Sequence, residues 1–243
     1  MSLPQGAVVV VTGAGGPAGQ AVVQRLVAAG ADVVGVDAHK ERLDEVAASL
    51  GGEGARFTGV VVDLVDEAAT RTWAGGLRRV DGVVHLVGGY RGGSVFADNT
   101  AEDWALLHDL LIRTVQNVTL AFHDALLAAP QGRFTLVSAT AVTSPSAGAA
   151  GYAAAKAAAE TWTMALADSF RRQQSARPDG PVPQTAAATV LVVKALVHDA
   201  MRAAKPDATF AGYTDVRDLA DAIAALWDAD AADVNGLRKV LAQ

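Results

Sequence analysis

Tyr152 and Lys156 stand four residues apart in Tyr152-Ala153-Ala154-Ala155-Lys156. On a helix that spacing is about one turn, so the two side chains share a face. An ammonium beside a phenol favours the phenolate and lowers its pKa, which makes Tyr152 a usable proton donor or acceptor near neutrality. The competing reading is an accidental pair on an alanine-rich surface helix. The motif alone does not decide between the two.

A second signal lies near the start of the chain. The apolar run Ala7–Val11 reads as a strand buried on both faces, and Thr12-Gly13-Ala14-Gly15-Gly16-Pro17-Ala18-Gly19 follows it. Ala21–Ala29 then carries apolar residues at helical spacing and stops before Gly30. Strand, glycine-rich turn and helix form the first half of a dinucleotide-binding βαβ unit. The glycines let backbone N–H groups approach a pyrophosphate at the helix N-terminus. Pro17 suits the first helical turn, where its missing N–H costs little. A tight turn that binds nothing is the alternative.

Asp37 tips that balance. It ends the strand Asp32–Val36, 24 residues after Gly13, near the spacing of a carboxylate that hydrogen-bonds the adenosine ribose hydroxyls. Such a carboxylate repels a 2′-phosphate, so NAD(H) is favoured over NADP(H), although His39 and Lys40 place positive charge nearby. Asp37 is equally placed to cap a helix over His39–Ser49. A second glycine cluster, Gly88-Gly89-Tyr90-Arg91-Gly92-Gly93, suggests backbone lying close to a ligand, or a mobile loop.

The remaining chain supplies elements to position these groups. Arg56–Val62, Val80–Val87, Arg133–Val137 and Ala186–Val193 read as strands, with Leu237–Leu241 as a final edge strand. Asp66–Leu77, Glu102–Ala128, Gly151–Phe170, Ala195–Ala204 and Asp215–Trp227 read as helices, with Asp66 as a cap and Thr214 or Asp215 as another. Arg171–Gln184, with Pro178, Gly180, Pro181 and Pro183, reads as a loop. Alternating strands and helices predict a single α/β domain over 1–243. The expected architecture is Rossmann-like: a doubly wound, mostly parallel sheet of about seven strands with helices on both faces. Ligands of such sheets bind at the carboxyl ends of the strands, where both glycine clusters and Asp37 fall.

Composition narrows the function class. Of 243 residues, 51% are hydrophobic and 19% charged, which excludes a disordered or collagen-like chain. The net charge of −6, with no basic cluster, argues against nucleic acid as a partner. There are no cysteines, hence no thiolate nucleophile and no cysteine-ligated metal. The five histidines lack short ligand spacing, so no metal is expected. Without a signal-like start or a long apolar run, a cytoplasmic protein with no membrane association is the expectation.

Over essentially its whole length the sequence resembles the short-chain dehydrogenase/reductase family. The carrying residues are the Gly13–Gly19 turn, Asp37, Asp63-Leu64, the glycine loop at Gly88, and Tyr152 with Lys156. The resemblance implies that Tyr152 is the general acid/base and that Lys156 binds the nicotinamide ribose and depresses the Tyr152 pKa. It implies a cofactor set of Gly13, Gly16, Pro17, Ala18, Gly19, Asp37, Asp63, Leu64, Val87, Gly88, Gly89, Tyr152, Lys156 and Val193, in which Asp63-Leu64 flank the adenine. It further implies a small-molecule substrate and a homodimer or homotetramer, with Glu102–Ala128 and Gly151–Phe170 as the paired helices.

The departures from the family pattern bear on the chemistry. Pro17 replaces the middle glycine of the usual turn, and the usual Asn-Asn-Ala-Gly reads His85-Leu86-Val87-Gly88. The active-site serine, thirteen residues before the tyrosine, falls on Ala139. The helix asparagine falls on Leu111, and the Pro-Gly after the sixth strand falls on Val192-Val193. One subgroup, the NADH-dependent dihydropteridine reductases, is similar in having alanine at the serine position and a double-glycine loop around an aromatic. A quinonoid or otherwise electrophilic ring needs less oxyanion stabilisation, which suits a site without that serine. Alternatively, an irregular turn brings in Ser138 or Thr140 as a substitute, giving a carbonyl or alcohol oxidoreductase. A non-catalytic dinucleotide sensor is the reading from another class. Tyr90 and Trp104 could stack on a planar substrate, though core or interface packing is the commoner fate of an aromatic. His85 is expected to pack at the strand end with its ring nitrogens satisfied.

Overall fold

The computed structural model describes residues 3–175 and 182–241. Its first half runs β1 (Val8–Thr12), α1 (Pro17–Ala28), β2 (Asp32–Asp37), α2 (Lys40–Ser49), β3 (Phe57–Val61), α3 (Glu67–Gly75) and β4 (Gly82–His85). There follow α4 (Ala101–His108), α5 (Thr114–Ala128), β5 (Arg133–Ala139), α6 (Ala150–Ser175) and β6 (Ala187–Val193). The last elements are β7 (Leu196–Val197), α7 (Asp199–Ala204), β8 (Thr214–Asp215), α8 (Val216–Ala224), α9 (Ala231–Val234) and β9 (Arg238–Val240).

Seven strands form one sheet in the order β3-β2-β1-β4-β5-β6-β9, and every pairing is parallel. The order reverses between β1 and β4, which makes the crevice above these strands a topological switch point. Side chains alternate across the pleat, and β1 shows the consequence. Val9 and Val11 join a core with Leu26, Ile223 and Trp227 on one side of the sheet. Val10 joins a core with Phe122, Phe134 and Phe170 on the other. The run Val8–Val11 is continuously apolar because both faces are covered.

Several boundaries differ from the sequence reading. The helix read over Glu102–Ala128 is broken by a π turn at Asp109–Arg113, where the Thr114 N–H reaches back to the Asp109 carbonyl. The loop read from Arg171 starts later. Asp168 pairs with Arg171 and Arg172 one turn on and carries α6 through Ser175. Pro178, Gly180 and Pro181 of that loop lie outside the described residues. The segment read as a helix from Ala195 first forms β7, paired with β8, and turns helical only at Asp199. Asp66 and Asp215 cap as expected, accepting from the N–H groups of Ala69 and Arg217. Among the described residues no helix is long and apolar enough to cross a membrane.

Candidate active site

The glycine turn is built by close packing. Gly13 has φ +72°, a left-handed conformation that glycine adopts freely. A Cβ on Gly19 would lie 2.2 Å from the Gly13 carbonyl oxygen, so a side chain there would force the helix off the turn. Pro17 is the first residue of α1. The carboxylate of Asp37 accepts from the Gly15 N–H at 3.1 Å and from the His39 N–H at 3.1 Å. The Asp37 side chain does not cap α2, whose N-cap residue is His39. It instead ties the glycine turn to the end of β2.

Beside Asp37 lies a cavity of about 240 Å³, lined by Gly13, Gly16, Asp37, Asp63, Leu64 and Gly88 among others. The cradle fits a dinucleotide: a glycine turn at a helix N-terminus, a carboxylate at the second strand, and apolar Leu64 across the cleft. His39 and Arg42 share the rim. Asn117, unnoticed in the sequence, holds the far wall, since its Nδ2 donates to the carbonyls of Leu64 at 2.9 Å and Val65 at 3.1 Å. A buried amide between Val115 and Val118 on a helix was the available signal.

A second cavity, about 210 Å³, continues along the strand ends and brings together Ala18, Gly88, Ser138, Ala139, Tyr152 and Lys156, with Val87 and Val193 also on its wall. Pro17, Gly19 and Gly89 line neither cavity. The Lys156 ammonium donates to the Val137 carbonyl at 2.8 Å. Burial lowers its pKa to about 8, against the opposing pull of Glu160 one turn on. Tyr152 behaves otherwise than the sequence suggested: burial first, then Tyr90, raise its pKa, and no depression by Lys156 shows. The ring of Tyr90 stands edge-on to Tyr152, with centroids 5.1 Å apart. Tyr90 and Trp104 are 56% and 42% exposed, so neither is a core residue.

The family's polar positions are filled differently. Leu111 lies buried in the π turn and packs with Leu107 and Ala155. Ser138 lines the cavity wall, but its Oγ is buried and has no hydrogen-bond partner. His85 is fully buried, as expected, with both ring nitrogens satisfied: Nδ1 lies 2.9 Å from Thr12 Oγ1 and Nε2 lies 3.2 Å from Thr114 Oγ1. The Thr114 hydroxyl spends its proton on the Leu110 carbonyl, so Nε2 donates and Nδ1 accepts. Burial, then the nearby Lys156 charge, lower the His85 pKa to about 3 and keep the ring neutral.

The loop carrying Tyr90 is tied to the front of α6. The Gly93 N–H donates to the Gly148 carbonyl at 2.8 Å. Asn99 accepts from the Gly151 N–H at 3.1 Å and donates to the Ala147 carbonyl at 3.0 Å. The sequence showed the glycines and not these partners.

The family model described as short chain dehydrogenase matches residues 7–175. Serine 3-dehydrogenase of Rhizobium radiobacter is 35% identical over 115 residues, 46% of this chain and 45% of that protein. The 2,3-dihydro-2,3-dihydroxybenzoate dehydrogenase of Bacillus subtilis (strain 168) is 28% identical over 166 residues, 67% of this chain and 63% of that protein. The matched stretches thus span about half to under two thirds of these relatives' lengths. The solved structure of an NAD+-bound xylitol dehydrogenase superposes with a TM-score of 0.81, covering 98% of each chain at 20% identity, a likeness of fold.

Proposed function

The chain belongs to the short chain dehydrogenase family, and from that premise we propose that it is an NADH-dependent oxidoreductase that reduces a small electrophilic substrate. A bound nicotinamide dinucleotide supplies the hydride. Gly13, Gly16 and the α1 N-terminus bind its pyrophosphate, Asp37 its adenosine ribose, and Asp63-Leu64 flank its adenine. Lys156 holds the nicotinamide ribose, and Tyr152 delivers the proton. The observation that carries this reading is the convergence of Ala18, Gly88, Tyr152 and Lys156 on one cavity at the strand ends.

The substrate class follows from what the cavity wall lacks. Ala139 presents a methyl group where the family's serine hydroxyl stands, which favours a quinonoid or other electrophilic ring, as in dihydropteridine reductases. A second reading, reduction of an ordinary carbonyl, is favoured by the phenol of Tyr90 beside Tyr152. The deciding experiment follows NADH oxidation with a quinonoid dihydropterin and with a panel of ketones. Tight NADH binding without turnover, unaffected by Tyr152→Phe, would instead make the protein a dinucleotide sensor.

The assembly in this reading is a homodimer or homotetramer paired through the outer faces of α5 and α6. Leu120, 59% exposed, lies there beside an apolar cavity shared with Trp162 and Leu166. Leu120→Glu should lower the mass seen by light scattering, and an unchanged mass would refute that surface.

A further inference from the structure

Beside the Tyr152 cavity, the tyrosine at position 90 packs its ring on Tyr152 and carries a phenol that the proposed chemistry leaves unused. A carbonyl oxygen that receives negative charge needs hydrogen-bond donors where the charge develops. Tyr152 is one. The usual second, a serine hydroxyl, is absent because Ala139 occupies its place. Ser138 does not substitute, because its Oγ is shut away from solvent within the wall. Thr140 leaves the strand in a tight helical turn.

We infer that Tyr90 is a catalytic residue, whose phenol donates the second hydrogen bond to the substrate oxygen. Three observations support this role. Its ring packs edge-on against Tyr152 at 5.1 Å and an interplanar angle of 67°, within the range aromatic pairs prefer. More than half of it is exposed, so a substrate can reach it. Its loop is fixed by the Gly93–Gly148 and Asn99–Gly151 hydrogen bonds, and Asp98 accepts from the N–H groups of Ser94 and Val95. Gly92 is part of the arrangement: a Cβ there would lie 2.7 Å from the Tyr90 hydroxyl and 2.8 Å from the Gly148 carbonyl oxygen. Tyr90 also raises the pKa of Tyr152, which accords with the two phenols facing one region.

The role rests on the second, carbonyl-reducing reading above. A bound reduced nicotinamide dinucleotide would supply the hydride to the carbonyl carbon and be left oxidised, and the C=O π pair would move onto oxygen. The Tyr152 proton passes to that oxygen and leaves a phenolate, which water reprotonates. Tyr90 keeps its proton throughout and stabilises the oxygen while it is negative. A ring with a conjugated carbonyl, its oxygen bonded by both phenols, is the substrate class this geometry takes.

The test is Tyr90→Phe, which keeps the ring and removes the hydroxyl. We expect kcat for the carbonyl substrate to fall about 100-fold, with KM and the Kd for NADH changed less than about twofold. Adding Ala139→Ser to Tyr90→Phe should restore kcat by about tenfold or more, since either hydroxyl supplies the missing donor. Independently of turnover, the ultraviolet phenolate titration of Tyr152 should move down in Tyr90→Phe. An unchanged kcat, or no restoration by Ala139→Ser, overturns the role of Tyr90 and leaves the proposed function standing. A parent protein that binds NADH and turns over nothing overturns both.

Discussion

The Lys156 ammonium donates to the Val137 carbonyl oxygen at 2.8 Å, and this one hydrogen bond ties the proposed catalytic helix to the end of the central strand β5. The same burial that positions the ammonium makes its charge costly. Its pKa is about 8 in the folded protein against the ordinary 10.5. Between those values the unfolded chain holds a proton that the native state has released, so stability rises with pH there and the penalty is fully present below pH 8. Relative to Lys156→Met, the parent should gain about 2 kcal/mol between pH 7.5 and pH 10. Urea denaturation at the two pH values checks this, and parallel profiles would refute it. The same substitution should abolish NADH oxidation.

In the proposed function Asp37 is the residue that would set cofactor choice. Its carboxylate is oriented by two backbone N–H groups and sits on the cavity rim with His39 and Arg42. Asp37→Ala should weaken NADH binding and shrink the preference for NADH over NADPH by about tenfold, since a repulsive charge is lost while Arg42 stays. Fluorescence titration with both cofactors measures the ratio, and an unchanged ratio would remove Asp37 from ribose recognition.

What could be read from the sequence is what repeats locally. The valines of β1, the glycine turn and the alternation of strand and helix each imply their structure within a dozen residues, and the seven parallel strands followed. The contacts that define the cavity are long-range and carry no local pattern. Tyr90 meets Tyr152 across 62 positions, and Asn117 reaches Leu64 across 53. The π turn at Asp109–Arg113 adds a residue to one helical turn without altering the apolar spacing enough to show. The Tyr152 pKa runs opposite to the sequence expectation because the Tyr-x-x-x-Lys spacing says nothing of burial, and burial is the largest cause of its rise.

His85 makes the protein acid-sensitive. It is held neutral between Thr12 and Thr114, with a pKa of about 3 instead of 6.5. As pH falls below 6.5 the unfolded chain takes up a proton that the native state refuses, so stability drops down to about pH 3. His85→Asn lacks this titration and can still bond Thr12. Between pH 7.5 and pH 5 the parent should lose about 2 kcal/mol more than the variant in urea denaturation. Equal losses would place the His85 pKa near its ordinary value.

Gly16 and Gly19 separate ligand approach from packing. A Cβ on Gly16 lies 3.5 Å from the Gly13 carbonyl oxygen, an ordinary contact, and its backbone at φ −76° suits any residue. Gly16→Ala should therefore leave the melting temperature within about 2 °C of the parent, while weakening NADH about tenfold or more, because Gly16 lines the cavity proposed to take the pyrophosphate. Gly19→Ala meets the Gly13 oxygen at 2.2 Å and the Ala14 Cα at 2.6 Å, both backbone atoms that cannot rotate aside. It should cost about 2 kcal/mol or more of stability through the displaced turn. Calorimetry paired with NADH titration distinguishes them. A Gly16→Ala protein that binds NADH as tightly as the parent would put the pyrophosphate elsewhere, whatever Gly19→Ala does to the fold.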